Sequence, residues 1–208
     1  MRLWPVAAFT LGYLLVAASI AVSSGNLEFL LYIVVMLILI FAVWLVDRHV
    51  VLNAPVLWGL SVWGVAHMAG GLLVVPNGWP VEGQSRVLYS LWLVPDLLKY
   101  DQVVHAYGFG MTTWMCWQGL RAAIGRHVEV VTPTVGLMIL AAAAGMGFGA
   151  MNELVEFSAT LLVPETNVGG YLNTGWDLVA NLIGSTAAAT LIWMHGRAQA
   201  EHSPSTPG

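Results

Sequence analysis

The sequence predicts an all-α fold: a polytopic transmembrane helical bundle with six spanning helices and one short interfacial segment. Hydrophobic residues make up 58% of the 208-residue chain and charged residues only 9%, whereas a typical soluble domain has about 25% charged residues. The apolar residues form runs close to the roughly 20 residues that a spanning helix needs. We therefore predict one transmembrane domain, residues 1–196, followed by a disordered cytoplasmic tail, residues 197–208.

The apolar runs give the predicted helices in order. Between the third and fourth runs, residues 77–100 are mixed in polarity, and their apolar stretch is too short to span, which favours an interfacial or re-entrant piece. The first run resembles a secretory signal, but its length and the weak cleavage site after it favour a retained helix. The predicted helices cover residues 5–22, 27–46, 54–75, 100–120, a fifth segment that starts at Pro133, and 174–194.

The cationic residues predict the orientation of this bundle. With six helices and a cytoplasmic N-terminus, most of the cations lie on the cytoplasmic side, as the positive-inside rule requires. Both termini are then cytoplasmic. On that side lie Arg2, Arg48, Arg121, Arg126 and Arg197, and on the other side lie Arg86 and Lys99.

Some partners and site types are excluded at this point. The chain has no basic cluster of the kind that binds nucleic acid, and we expect membrane lipids as its surroundings. Cys116 is the only cysteine, so neither an intrachain disulfide nor a cysteine-based metal motif is possible.

Ionisable residues inside the apolar runs mark a candidate site, because charges at membrane depth are costly and usually functional. Alternating helix directions and a rise of about 1.5 Å per residue place all of them in the outer half of the bilayer. Four predicted helices contribute to this layer. The residues are His67, Asp101, His105, Glu153, Glu156 and Asp177.

Histidine and carboxylate side chains at one depth predict metal binding or acid–base chemistry. Such ligands suit a divalent ion such as zinc, manganese or iron, and the candidate ligands are His67, Asp101, His105 and Asp177. Glu153 and Glu156 share one helix face and are the candidate catalytic residues, since positioned carboxylates act as general acids and bases. A polar network of Asn152, Thr174 and Asn181 accompanies them.

Structural interpretations remain open for the same residues. Asp101 and His105 can form a cap and ion pair at a helix start, and the helix dipole favours Asp177 near an N-terminus. Asn181 suits an interhelical hydrogen bond, and the whole cluster can be a network that holds the bundle together. The small-residue face at Gly145 and Gly149 allows close helix contact, which predicts a homo-oligomer or a partner subunit at this face.

Several spaced residues resemble a known family. The pattern Y-D-x-x-x-H-x-Y, from Tyr100 to Tyr107, resembles the D-K-x-x-H-x-x-x-Y element of VanZ-like membrane proteins, with Gln102 in place of the usual lysine. E-L-x-E-F, followed by T-x-W-D-L-x-x-N-x-x-G from Thr174 to Gly184, resembles that family's second element. His67 with Gly70-Gly71, together with the six-helix layout, is similar to the YjdF-type proteins of bacteria.

The resemblance implies an integral protein of the bacterial inner membrane, and VanZ proteins are associated with low-level teicoplanin resistance. The leading hypothesis is a protein of the cell envelope whose polar site handles a lipid or envelope precursor. As an enzyme it would be a metal- or acid–base-assisted hydrolase or transferase. The alternatives are a small-solute or proton-coupled transporter and a structural or accessory subunit.

Overall fold

The computed structural model describes residues 3–202, with side chains described for residues 3–199. Six α-helices occur in this part of the chain, so the prediction of a helical bundle with six helices is confirmed. Four of them, α1, α2, α5 and α6, are long and apolar enough to cross a membrane. The prediction of six spans is thus met in part, because polar residues and glycines lower the hydropathy of α3 and α4. The helices are α1 (Trp4–Ser24), α2 (Leu27–Val50), α3 (Ala54–Leu72), α4 (Tyr100–Ile124), α5 (Val135–Leu162) and α6 (Tyr171–His202).

Short polar residues set the starts of three helices. The side chain of Asn26 accepts from Phe29 N at 3.0 Å and begins α2. The side chain of Asn53 accepts from Val56 N at 3.1 Å and begins α3, and Thr134 caps α5 in the same way. These caps satisfy backbone donors that a helix start leaves unpaired.

Loss of the α3 cap has a measurable cost. We expect Asn53→Ala to lower the free energy of unfolding by about 1 kcal/mol, the usual value for a lost N-cap. Asn53→Asp keeps an acceptor at the same atom and is expected to remain near wild type. Thermal unfolding in detergent measures both variants, and equal losses in the two would contradict the capping role.

Residues 73–99, which we call the cap segment, cover one end of the bundle between α3 and α4. They contain a 3₁₀ turn, Leu88–Ser90, and two antiparallel strands, β1 (Trp92–Val94) and β2 (Leu98–Lys99). The tight connection between the strands holds Asp96 at φ 58°. The small sheet departs from the predicted all-α fold. It forms in the segment whose apolar stretch is too short to span a bilayer.

Helices α4, α5 and α6 pack most closely against one another. A Cβ at Gly184 of α6 would overlap the carbonyl oxygen of Ala106, so the backbones of α6 and α4 are in direct contact there. Gly145 of α5 packs against Thr113 and Ser185, and Gly149 packs against Asn181. The two glycines of the predicted oligomer face therefore contact neighbours within this chain, and an oligomer remains a prediction.

The periphery and the C-terminal end complete the bundle. In α1 and α2 only 17% of the most apolar stretch is buried, against 39% in α6, so these two helices present most of their surface outward.

Helix α6 continues to His202 and includes residues 197–202, which the sequence assigned to the tail. Residues 203–208 of that predicted tail lie outside the described residues.

Candidate functional site

Charged side chains from α4, α5 and α6 converge on His105, beneath the cap segment. His105 is 4% exposed. Its Nε2 lies 3.6 Å from Asp101 Oδ1 and 3.9 Å from Glu156 Oε1, and its Nδ1 lies 3.6 Å from Glu153 Oε1. Asp177 completes a group with Asp101 and His105. We call these five residues, Asp101, His105, Glu153, Glu156 and Asp177, the His105 cluster.

The orientation of the imidazole follows from Asn181. The ring Nδ1 lies 3.1 Å from Asn181 Oδ1, and because an amide oxygen can only accept, Nδ1 carries the proton. Nε2 then presents its lone pair toward Asp101 and Glu156. This is the state in which a histidine binds a metal, with its other nitrogen held by a hydrogen bond.

Asn173 orients two of the carboxylates. Its Nδ2 donates to Asp101 Oδ2 at 3.3 Å and to Asp177 Oδ2 at 2.5 Å, so one oxygen of each aspartate is held and the other is left for the cluster. On α5, Asn152 Nδ2 donates to Glu156 Oε1 at 2.8 Å. Asparagine side chains thus support three of the four acidic groups from outside the cluster.

Several buried atoms of the cluster and of the neighbouring Asn181 have no hydrogen-bond partner. They are both carboxylate oxygens of Glu153, Oδ1 of Asp177 and Nδ2 of Asn181. Asp177 and Asn181 are 0% exposed and Glu153 is 9% exposed. Buried polar atoms are usually paired, and an unpaired one costs about 1–3 kcal/mol, so these oxygens mark a position where a ligand is expected.

The spacing of the ligand atoms fits a metal ion. Asp101, His105 and Asp177 each offer an atom within 4.8 Å of the others, and so do His105, Glu153 and Glu156. Four ligands at about 2.0–2.2 Å in a tetrahedron lie roughly 3.4 Å apart. The separations of 3.6 and 3.9 Å around His105 Nε2 are close to that value.

His67, also predicted as a ligand, belongs to neither group. Its Nδ1 lies 2.5 Å from Tyr89 Oη, and the same hydroxyl is 2.9 Å from the His67 carbonyl oxygen. Aromatic rings enclose the imidazole, among them Trp63 at 5.5 Å between centroids. Burial raises the pKa of the Tyr89 phenol well above its usual range, so Tyr89 stays neutral and can anchor His67.

The remaining predicted residues fall in different places. Asn181 and Asn152 touch the cluster directly, as described. Thr174 lies half-buried in the first turn of α6, where its backbone N–H donates to Gly170 O at 3.1 Å, and it is in neither group of ligand atoms. A cavity of about 20 Å³ separates His67 from Asn152 and Glu156.

Two residues of the site were missed by the sequence interpretation. Lys99 is 4% exposed and its Nζ contacts Asn173 Oδ1, which links the ammonium to the two aspartates that Asn173 holds. The signals were present but weak: Lys99 immediately precedes α4, and Asn173 stands one helical turn before Asp177. Neither residue lies deep in an apolar run, and only polar residues within such runs were predicted to belong to the site.

A helical bundle with four apolar helices and a buried histidine–carboxylate cluster is the organisation of a polytopic membrane protein with an internal polar site. The model of the family described as "Predicted membrane protein (DUF2238)" matches residues 5–198. The chain therefore belongs to this family of membrane proteins. No curated protein and no solved structure matches the chain.

Proposed function

We propose that the His105 cluster binds a divalent metal ion and that the protein uses it to hydrolyse or transfer a group at the polar head of a lipid or envelope precursor. The observation that carries this proposal is the convergence of four buried or half-buried carboxylates on His105. Asp101 and Glu156 lie at its unprotonated nitrogen, and Glu153 and Asp177 have oxygens without a hydrogen-bond partner. Imidazole and carboxylate ligands together suit zinc, manganese or iron.

A purely structural network explains these atoms less well. A network stabilises a bundle when its members are paired, whereas unpaired buried carboxylates are destabilising. Four carboxylates converge on one histidine and one nearby lysine, so the acidic groups outnumber the cations. A divalent cation would balance this excess and would bond to the unpaired oxygen of Asp177 at the same time.

The residues can be given roles in a hydrolytic step. His105, Asp101 and Asp177 would hold the ion, with Glu156 as a further ligand, and a bound ion would polarise the reacting carbonyl or phosphoryl oxygen. Glu153, whose two oxygens have no hydrogen-bond partner, would accept a proton from water as the water oxygen attacks. The same carboxyl would then return the proton to the leaving oxygen.

Location supports a substrate from the envelope. The cationic residues favour a bacterial inner-membrane protein with both termini cytoplasmic, and in that arrangement α3 and α4 cross the bilayer with the four apolar helices. The cluster and the cap segment then lie toward the outer surface. The resemblance of Asp101, His105 and the Thr174–Gly184 segment to VanZ-like proteins points to the same compartment.

Metal content tests the proposal. Protein purified in detergent without chelator, with and without a soak in zinc, manganese or iron(II), is analysed by elemental mass spectrometry. We expect about one ion per chain, the occupancy of a mononuclear site, and its loss in His105→Ala. His67→Ala is the matched control, since it removes a buried histidine outside the cluster, and it should retain the metal. Metal-free wild type after every soak, or equal metal in His105→Ala, would reject the proposal.

A further inference from the structure

Lys99 places a buried cation beside the His105 cluster. Its side chain is 5% exposed, and its Nζ lies 2.7 Å from Glu82 Oε2. The same ammonium contacts Asn173 Oδ1, and Asn173 in turn holds Asp101 and Asp177. A group bound to Lys99 would therefore lie one side chain away from the proposed metal ligands.

The two members of the Lys99–Glu82 pair are held very differently. Lys99 stands at the start of α4, where its backbone N–H donates to Gln102 Oε1 at 3.0 Å. Glu82 has a side chain that is 53% exposed, and it precedes Gly83, which has φ +67°, in a turn of the cap segment. Glu82 can turn into solvent at little cost. Lys99 cannot, and a buried ammonium that loses its counter-ion is strongly destabilising.

An apolar groove begins at residues that flank Lys99 in the chain. It lies between α4 and α6, has a volume of about 550 Å³ and starts beside Leu98 and Gln102. It continues past Ala106 and Gly110 to Ala187, over about 18 Å of α4 at 1.5 Å per residue. Its volume is within the range of about 300–1,000 Å³ for small-molecule sites. Its walls are almost wholly apolar, which suits the hydrocarbon chain of a lipid.

We infer that Lys99 binds the phosphate of a phosphate-headed lipid, that Glu82 occupies this anion position when the lipid is absent, and that an acyl chain of the lipid lies in the α4–α6 groove. Lysine is a common phosphate ligand. A neutral head group could not replace Glu82, because it would leave the ammonium without a counter-ion. This inference deepens the proposed function by naming its substrate class, and it depends on that function only for the reaction.

Lipid binding to variants tests the inference. Native mass spectrometry in detergent measures the affinity of the whole chain for phosphatidic acid, diacylglycerol and inorganic phosphate. We expect Lys99→Met to weaken phosphatidic acid binding about 10- to 100-fold, the effect of one hydrogen bond to a charged group. Glu82→Gln should strengthen binding, because it removes the internal competitor. Glu165→Gln, a change of the same kind at an exposed residue of the α5–α6 connection, should have no effect.

The groove has its own pair of variants. Ala187→Phe fills the groove and should weaken phosphatidic acid binding, whereas Ala8→Phe on the exposed surface of α1 should not. Wild type should bind phosphatidic acid in preference to both diacylglycerol and inorganic phosphate. Equal binding of diacylglycerol would overturn the phosphate contact, and equal binding of inorganic phosphate would overturn the lipid assignment.

Two readouts separate this inference from the metal proposal. Metal content, measured on the same samples, should be unchanged in Glu82→Gln and Ala187→Phe, so lipid binding can fail while the metal site stands. If Lys99→Met does not fold, Glu82→Gln still decides the matter, since Glu82 is half-exposed. If Glu82→Gln binds phosphatidic acid with the wild-type affinity, Glu82 does not compete with the lipid phosphate for Lys99. That result would overturn the inference.

Discussion

Asp177→Asn is expected to stabilise the metal-free protein and to abolish its metal binding. Asp177 is 0% exposed, and its Oδ1 has no hydrogen-bond partner. The amide oxygen of the substituted residue can still accept from Asn173, and its NH₂ group can donate to the neighbouring carboxylates. Because the amide pairs where a buried oxygen was unpaired, the substitution should add about 1–3 kcal/mol to the free energy of unfolding without metal.

The same substitution removes a ligand from the proposed ion. Asn173→Ala removes a residue that only orients the ligands, so we expect it to lower the affinity for the metal roughly 10- to 100-fold. Asp177→Asn should lower that affinity by more. Thermal unfolding with chelator measures the stability of the metal-free protein, and thermal unfolding with saturating zinc measures the stabilisation by the metal. Zinc should stabilise wild type, since a ligand at about 100 times its Kd adds about 2.7 kcal/mol, and should leave Asp177→Asn unchanged. Equal stabilisation of both proteins would exclude Asp177 as a ligand.

Gly184→Ala is expected to force α4 and α6 apart. A Cβ at this position would overlap the carbonyl oxygen of Ala106, a backbone atom that cannot rotate away. Membrane helices gain much of their association energy from such close approach of small residues. Overpacking of this kind costs about 1–3 kcal/mol, or more where the backbone has to move.

Gly175→Ala on the same helix is the control for Gly184→Ala. A Cβ at Gly175 would meet nothing within 4 Å, so alanine should raise stability by about 0.5–1 kcal/mol through its better helix propensity. Opposite signs for the two substitutions in thermal unfolding are the expected result. Destabilisation of the same size in both would mean that the α4–α6 contact is not tight.

The sequence predicted the helices well because apolar runs of bilayer length have few alternatives. It predicted the starts to within three residues, the largest difference being helix α6, which begins at Tyr171. It predicted the ends less well, since α6 continues to His202, beyond the expected residue 194. The small sheet of the cap segment was missed because residues 92–99 carry no alternating pattern of apolar and polar residues, although their two strands pair as a local hairpin.

The sequence predicted the level of the site residues along the helices, but not the direction in which their side chains point. Helix spacing placed His67 at the same level as His105, and the structure shows them in separate environments because His67 is bound to Tyr89. Which way a side chain points around a helix depends on how the helices pack, and Gly184 and Gly145 set that packing through contacts between helices. Lys99 and Asn173 join the site for the same reason.

The low hydropathy of α3 and α4 bears on how the chain enters the bilayer during synthesis. Helices α1 and α2 can insert alone as a hairpin, whereas α4 carries Asp101, Gln102 and His105 in its first two turns and would be poorly retained by itself. The partners of these side chains, Asn173, Glu153 and Asn181, are synthesised later, on α5 and α6. In the proposed six-span arrangement, stable integration of α4 should therefore wait until α6 has left the ribosome, so truncation before α6 should leave a chain that the cell degrades.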